Sequence, residues 1–200
     1  MTIASKGART QTRTSVSYQL IRTTTSPDEQ STGVQSYVAN LPAEQILDLS
    51  TEDNLRGYIA EYNPRKRNRV HDAIRETIET SPARLITRNG GVVITASAIQ
   101  VDDKRKTIDL EDASIINGAQ TQGEIKRYLA EFDDQGGDTP FHVRAEIIVD
   151  PDPAEVVETA IARNTATPVK SVTQAGARGH LDDLVSSIQK VHPSLKVKMS

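Results

Sequence analysis

The spacing of apolar residues along the chain changes near residue 83, from a helical period to short runs typical of strands. Between Asn68 and Ser81, apolar or small residues recur every three or four positions, which predicts one amphipathic helix. Asn68 is a suitable cap for its start, and the Ser81-Pro82 pair predicts its end. The residues that set this period are Val70, Ala73, Ile74, Thr77 and Ile78.

A first β-hairpin is predicted directly after this change of period. The apolar runs Leu85-Ile86 and Val92–Ile94 flank the segment Arg88–Gly91. Asn-Gly and Gly-Gly pairs readily adopt the positive φ angles that tight hairpin turns require. We therefore expect residues 85–94 to form two paired strands.

A second hairpin and a separate strand are predicted further along. Residues 99–101 and 108–110 carry the apolar positions on either side of Asp102-Asp103-Lys104. Later, Phe141–Val149 alternates apolar and polar residues, a pattern typical of a strand with one buried face.

The segment Ile115–Glu124 predicts a strand, a tight Asn-Gly turn and the beginning of a helix. Thr121 and Glu124 have the spacing of a capping box at the helix N-terminus. The unpaired N–H groups of such an end can bind an anion, phosphate above all, although the local pattern by itself favours an ordinary capped helix. The apolar stripe of this helix consists of Ile125, Tyr128, Leu129 and Phe132.

The remaining segments complete the predicted order of elements. Residues 1–15 show no periodicity and are expected to form a tail. The other expectations are a strand over Val16–Ile21, a polar turn over Ser26–Gly33, an extended pair Tyr37-Val38, helices over Ala43–Leu49 and from Ser50 or Thr51 to Asn63, a flexible loop over Asp133–Thr139, a helix from Pro153 to Asn164, a helix over Thr173–Val191 and a strand over Leu195–Met199. This order predicts an N-terminal extension with strands over residues 1–40 and a core domain over residues 41–200, interpreted as the front part of a longer protein.

Composition narrows the class of protein. The chain of 200 residues has no cysteine, which excludes disulfides, thiol catalysis and Cys-based zinc sites and is typical of a cytoplasmic protein. No apolar run approaches the length of a membrane span, so we expect no membrane partner. The net charge of −3 argues against a protein that coats nucleic acid through bulk charge.

One basic cluster stands out in this acidic chain. It consists of Arg65, Lys66, Arg67, Asn68 and Arg69, with Arg75 further along the next predicted helix. Such a cluster can contact phosphates, although by itself the charge pattern is more typical of a solvated loop.

An ordered series of motifs resembles the AIPR family, the abortive infection phage resistance proteins. The resemblance covers roughly residues 45 to 190 and depends on the order of the motifs more than on any one of them. The matching blocks are Asn54–Tyr58, Arg69–His71 with Ile74, Asn89–Ile94, Ile115–Thr121, Ala162–Asn164 and Pro168–Lys170, followed by His180 with Leu181 and Leu184. The resemblance implies a bacterial anti-phage function.

The layout also resembles, more distantly, the ParB/sulfiredoxin-like fold. Members of that fold carry a strand, a glycine-containing polar turn and a helix that grip a nucleotide or DNA phosphate. In this chain Asn117 stands in place of their acid, and Thr121 with Gln122 in place of their His-Arg pair. The expected fold class is therefore α+β, a small mixed sheet with hairpins flanked by several helices.

These features together predict a site that binds nucleic acid or a nucleotide. Amide side chains at the ends of elements can hydrogen-bond to a base edge or a phosphate, while arginines supply positive charge. The expected ligand-binding residues are Arg56, Arg65, Arg67, Arg69, Arg88, Asn89, Asn117, Gly118, Gln120, Thr121, Asn164 and Lys170. Structural capping is the alternative for each amide.

Two other functions stay open, and so does the question of whether the protein is an enzyme. A metal-dependent nuclease or nucleotide hydrolase would need converging carboxylates, for which Asp109, Glu111 and Asp112 are the candidates, although alternation should point them to different sides. A divalent cation is expected only under that alternative. A phage-sensing interaction or oligomerisation module is the other, and a homo-oligomer would suit it.

Overall fold

The structure is a computed structural model that describes residues 12–54, 69–132, 141–164 and Lys190. The strands are β1 (Arg13–Ser17), β2 (Leu20–Thr23), β3 (Gln35–Pro42), β4 (Val92–Ala96), β5 (Ala98–Asp102), β6 (Thr107–Glu111), β7 (Ser114–Asn117) and β8 (His142–Val149). The helices are α1 (Pro27–Thr32), α2 (Arg69–Thr80), α3 (Leu85–Arg88), α4 (Ala119–Phe132) and α5 (Pro153–Asn164), with 3₁₀ turns at Ala43–Ile46 and Pro82–Arg84. This mixture confirms the α+β class.

A five-stranded mixed sheet has the strand order β2-β3-β8-β4-β7. Its central strand, β8, pairs antiparallel with β3 and parallel with β4. The predicted alternation along β8 is confirmed, because Phe141, Val143, Ala145 and Ile147 are all buried on one face. This face carries the main hydrophobic core.

A smaller antiparallel sheet has the order β1-β6-β5. Its β5–β6 pair is the second predicted hairpin, which is confirmed with Gln100 opposite Asp109. Asp102 Oδ1 accepts hydrogen bonds from the backbone N–H groups of Lys104 and Arg105, at 2.9 and 3.0 Å, and so stabilises the turn.

Helices α2 and α4 pack together and cover the core. Their contact includes Arg75, which forms ion pairs with Glu79 and Glu131 and lies 5.1 Å from the centroid of the Tyr128 ring. Tyr128 in turn meets Phe141 edge-on, with ring centroids 6.0 Å apart. The Arg75 side chain is only 14% exposed. Its burial is stabilised because both its charge and its planar face have partners.

Helix α5 packs against β7, at the far edge of the sheet. Its start agrees with the sequence, since Pro153 is its first residue and Asp152 Oδ1 accepts a hydrogen bond from the Ala154 N–H at 2.9 Å. Ala160 and Ile161 of this helix are buried, as is Ile116 of β7.

The first predicted hairpin, over residues 85–94, is wrong. Leu85–Arg88 is helical, and β4 pairs with β7 and β8 instead of with the segment before it. The Asn89 N–H donates to Leu85 O at 2.9 Å, which closes the last turn of α3. Asn89 Oδ1 then accepts from the Gly91 N–H at 2.8 Å, so a local turn leads the chain from α3 into β4.

The predicted cap of α4 is also wrong. The helix begins at Ala119, so Thr121 lies in its first turn instead of before it. Gly118 precedes the helix with a φ of 105°, and its carbonyl accepts the first helical hydrogen bond from the Gln122 N–H at 3.1 Å. Along the predicted stripe Ile125 is buried, and Tyr128 and Leu129 are partly buried.

Several N-terminal expectations need correction. The strand predicted over Val16–Ile21 is divided between β1 and β2, which belong to different sheets, and β1 already begins within the expected tail. The polar turn over Ser26–Gly33 contains helix α1. The pair Tyr37-Val38 is extended as expected, within the longer strand β3.

The helices predicted near residues 43–80 agree in part. The short helix over Ala43–Leu49 is a 3₁₀ turn, whereas residues 51–54 form a turn in place of the expected start of a helix. Helix α2 has nearly the predicted bounds, but its buried side consists of His71, Ile74 and Ile78. Val70 is 56% exposed, because the helix is rotated relative to the face that its apolar residues suggest.

The other predicted elements lie outside the described residues. They are the helix beyond Asn54, the loop over residues 133–139, the helix over 173–191 and the strand over 195–199. The domain boundary predicted at residue 40 stays a prediction. Most of β1–β3 lies before this residue, and these strands belong to both sheets, where β1 pairs with β6 and β3 with β8.

Candidate functional site

The β7–α4 turn, residues Asn117–Thr121, is the best-defined candidate site in the described structure. Strand β7 is buried up to Ile116, whereas the next side chain, Asn117, is exposed. The chain reverses at Gly118 and enters α4 at Ala119. An exposed amide and the first turn of a helix of 14 residues are thus adjacent in sequence and in space.

Two glycines allow this turn to pack closely against the start of β4. An ideal Cβ on Gly118 would lie 2.8 Å from Val92 Cγ1 and 2.9 Å from Gly91 O. Gly91 has a φ of 81°, and a Cβ there would lie 2.2 Å from Arg144 O. The turn, β4 and β8 therefore meet at backbone distance, which only glycine permits.

A small polar network fixes the turn to the end of α3. The Asn89 amide and the Thr121 hydroxyl are in mutual hydrogen-bond contact, with Nδ2–Oγ1 and Oγ1–Oδ1 distances of 3.1 and 3.2 Å. Asn89 Oδ1 also accepts a hydrogen bond from the Gly91 N–H. The Asn89 side chain therefore connects the end of α3, the start of β4 and the first turn of α4. Thr121 is only 4% exposed, so this network lies beneath the surface of the turn.

Asn164 connects α5 to Ile116, the residue just before the turn. Its Nδ2 donates to Ile116 O at 2.9 Å and to Ala160 O at 2.7 Å, and the residue is 1% exposed. These contacts are those of a buried structural amide, one of the two alternatives that the sequence left open. Asn117 Nδ2, in contrast, makes a long 3.4 Å contact with Arg163 O from an exposed position.

Two further amides hold β7 and α4 against the segment after β3, through partners that no local pattern indicates. Gln122 Nε2 donates to Ile46 O at 2.7 Å and to Leu49 O at 2.9 Å. Asn54 Nδ2 donates to Ile115 O at 3.2 Å. Asn54 begins one family-like motif and Gln122 directly follows another, but the partners of both are distant in sequence.

Among the predicted basic residues that the structure describes, Arg88 lies beside the turn, exposed one residue before Asn89. Arg69 is exposed at the start of α2, the helix whose Arg75 pairs with Glu131 near the other end of α4, so it lies away from the turn. Gln120 is partly buried in the first turn of α4. Arg56, Arg65, Arg67 and Lys170 lie outside the described residues, so their part in a site stays a prediction.

Two arginines near the turn were missed by the sequence reasoning. The backbone of Arg144 meets Gly91, and its side chain is exposed. The Arg163 guanidinium forms a bidentate ion pair with Glu146, with N–O distances of 3.0 and 2.6 Å. The backbone carbonyl of the same residue accepts the contact from Asn117. Arg163 is adjacent to the motif residue Asn164, which was the available signal, whereas nothing local marks Arg144.

The candidate carboxylates of a metal site lie elsewhere. Asp109 and Glu111 share one face of β6, contrary to the expectation that alternation would separate them, and Asp109 pairs with Arg13 at 2.5 Å. Asp112 lies beyond the strand, where its Oδ1 accepts from the Thr12 N–H at 3.0 Å. Within residues 12–54, 69–132 and 141–164, no three His, Cys, Asp or Glu side chains are grouped as a metal ion would need.

Two shallow grooves lie away from the turn. One, of about 310 Å³, is lined by Arg13, Gln100 and Asp109 among others. The other, of about 350 Å³, lies between the end of α1 and β3. In the described part of the chain, no helix has the length and apolar character needed to cross a membrane.

The fold and the turn define an α+β domain with a tightly packed strand–glycine–helix connection at one sheet edge. A family model described as AIPR protein matches residues 52–180. The chain therefore belongs to the AIPR family, which gives it a role in abortive infection and phage resistance. No curated protein and no solved structure gave a significant match.

Proposed function

We propose that this phage-defence role includes the binding of nucleic acid or a nucleotide at the β7–α4 turn. The observation that carries the proposal is the exposed Asn117 amide beside the first turn of α4, on a backbone fixed by Gly91 and Gly118. A rigid support of this kind keeps hydrogen-bonding groups in place before a ligand arrives, which reduces the ordering that binding requires.

The chemistry of the turn suits a phosphate or a base edge. The N-terminal turn of α4 brings backbone N–H groups and the positive end of the helix dipole next to Asn117. Asn117 can both donate and accept, as an amide does when it reads a base. In this proposal Asn89, Thr121 and Asn164 position the turn, and Asn117 with Gln120 contacts the ligand.

Positive charge comes from the arginines. Arg88 and Arg69 are exposed in the structure, and Arg56, Arg65, Arg67 and Lys170 are predicted to add phosphate contacts. Arg144 is a further candidate because its strand reaches the turn. We place this binding in the cytoplasm, in agreement with a chain that has no cysteine.

Asn117→Ala tests the turn itself. We expect affinity for the bound oligonucleotide or nucleotide to fall about 3- to 10-fold, the value of one missing hydrogen bond, with the melting temperature nearly unchanged. Gln19→Ala is the matched control, since it removes another exposed amide about 19 Å away, across four strand spacings. Fluorescence anisotropy with labelled DNA and RNA, and thermal shifts with a nucleotide panel, provide the measurement. Equal affinities for Asn117→Ala and wild type would contradict the proposal.

The basic cluster is tested by salt dependence. For Arg65, Arg67 and Arg69 changed together to Ala, we expect the slope of log affinity against log salt to become shallower by about 0.7–0.9 for each phosphate that the variant no longer neutralises. The matched control changes Arg22, Lys104 and Arg105, three cations that are exposed at other positions, to Ala. An unchanged slope would remove the cluster from the site and leave the turn as the whole of the proposed surface.

A further inference from the structure

Among the strands that the structure describes, three of the four edge strands each have an outward backbone group with a local hydrogen-bond partner. These contacts are Arg22 Nη1 to Ile21 O in β2 (2.8 Å), Ile115 N to Ser50 O in β7 (2.8 Å) and Ser17 N to Gln45 Oε1 in β1 (2.7 Å). Partners of this kind occupy backbone groups that would otherwise pair with a strand of another molecule.

Strand β5 is the remaining edge, and its backbone direction follows from its neighbours. The Tyr18 N–H donates to Lys106 O, and the Asp112 N–H donates to Thr12 O, each at about the register of the β1–β6 pair. In an antiparallel ladder, hydrogen-bonded pairs alternate, so the odd-numbered residues of β6 bond to β5. Their partners in β5 are Ala98, Gln100 and Asp102.

The N–H and C=O groups of Ile99 and Val101 therefore point away from β6. No residue in the described part of the chain donates to or accepts from these four groups. The strand lacks most of the usual protections of an edge, since it is five residues long, contains no proline, lysine or bulge, and carries its one charge, Asp102, at its last residue. It can accept another strand.

We propose that β5 pairs antiparallel with β5 of a second copy of this chain, about a two-fold axis at Gln100. The three-stranded sheets of the two copies then form one continuous sheet of six strands. In this register Ile99 lies opposite Val101 of the second copy. All four outward groups of each strand are then hydrogen-bonded across the axis.

The side chains of β5 are complementary to themselves in this register. Asp102 lies opposite Ala98 of the second copy, so the two carboxylates are kept apart. A register moved by one residue toward Val101 would instead set each Asp102 opposite Gln100 and bring the two acids to diagonal positions. The apolar pair Ile99 and Val101 meets on the side that already packs against the core.

Gln100 would face its own copy at the axis. It is exposed, and its Oε1 accepts from Arg13 Nη2 at 3.4 Å, which leaves its amide N–H groups to donate across the axis. The groove of about 310 Å³ beside Gln100 would continue from one copy into the other. The interface is thus an isologous edge, closed by one two-fold axis.

Disulfide trapping provides a direct test, because the natural chain has no cysteine. Opposite residues at a position without ladder hydrogen bonds have Cβ atoms about 4.5–5 Å apart, near the distance a disulfide spans. We expect full-length Gln100→Cys to form a covalent dimer under mild oxidation, and Gln19→Cys, at an exposed site outside β5, to form no covalent dimer. Equal cross-linking of both variants, or none for Gln100→Cys, would overturn the proposal.

Charge at the axis provides the second arm. Gln100→Lys and Gln100→Glu each place like charges directly opposite one another, so each should weaken self-association by up to about fivefold, while an equimolar mixture of the two should restore it. Gln19→Lys is the matched control. Sedimentation velocity over a concentration series gives the dissociation constants. A wild-type chain that stays monomeric, or a dimer that neither charge affects, would contradict the β5 interface.

Discussion

At the scale of single residues, the β7–α4 turn depends on glycines more than on its polar side chains. Gly33, at the end of α1, and Gly118 both have positive φ angles, of 80° and 105°. They differ in their surroundings, because a Cβ on Gly33 would meet nothing within 4 Å, whereas one on Gly118 would meet both Val92 and Gly91. Substitutions at Gly33 and Gly118 therefore distinguish the cost of a positive φ angle from the cost of a steric clash.

Gly118→Ala should destabilise the protein more than Gly33→Ala. We expect Gly33→Ala to cost about 1 kcal/mol, the cost of a left-handed conformation for an L-residue. Gly118→Ala should cost about 3 kcal/mol, because the backbone of β4 must also move. Urea unfolding of both variants gives the difference, and equal costs would show that β4 yields to the extra methyl group without strain.

The amides around the turn show what a local pattern can and cannot predict. Asn89, Asn117 and Asn164 are all recognisable as polar residues at the ends of elements. Their sequence neighbours do not distinguish the exposed Asn117 from the buried Asn164, whose partner Ile116 is 48 residues away. That distinction depends on where α5 packs, which is a property of the tertiary structure.

At the scale of elements, α1 is a short helix that its cap holds in place. Ser26 and Glu29 form a reciprocal capping box, and Glu29 also accepts a hydrogen bond from the Ser36 hydroxyl in β3. These bonds, that from Ser36 first, lower the pKa of Glu29 from 4.5 to about 2. The Ser-x-x-Glu spacing is visible in the sequence, but the segment resembles a polar turn because no apolar run follows it.

The capping box predicts a pH-dependent contribution to stability. Since the pKa of Glu29 is lower in the folded state, its contribution is complete above about pH 4.5 and is lost as the pH falls toward 2. Glu29→Gln should therefore lower the melting temperature at pH 7, and its difference from wild type should shrink between pH 5 and 2. Glu76→Gln, at an exposed position on α2, is the control. A difference that is constant with pH would contradict this role for the carboxylate.

Predicted elements agree with the structure where the signal is local. Helix α2, the β5–β6 hairpin, the start of α5 and the alternation of β8 each depend on spacing within about a dozen residues. The hairpin predicted over residues 85–94 is wrong because Asn-Gly also ends helices, and Leu85 is buried as a helical residue. Local turn chemistry fits both outcomes, and packing selects between them.

At the scale of the whole molecule, the pairing of strands that are distant along the chain is what the sequence could not reveal. Strand β8 pairs with β3, where Ala39 lies opposite Ala145, and with β4, where Ile94 lies opposite Ile147. No pattern in either segment encodes a partner so distant along the chain. The family resemblance supplied the order of motifs and the defence role, whereas the meeting of Gly91, Gly118 and Arg144 became visible only in three dimensions.

The central position of β8 has a consequence for synthesis on the ribosome. Translation proceeds from the N-terminus, so β3 and β4 emerge long before β8, the strand that joins them. Until residue 149 has left the exit tunnel, a nascent chain exposes the inner edges of both strands, together with apolar residues that β8 will later cover. Between the emergence of β4 and the emergence of β8, a chaperone that shields strand edges would raise the yield of folded protein.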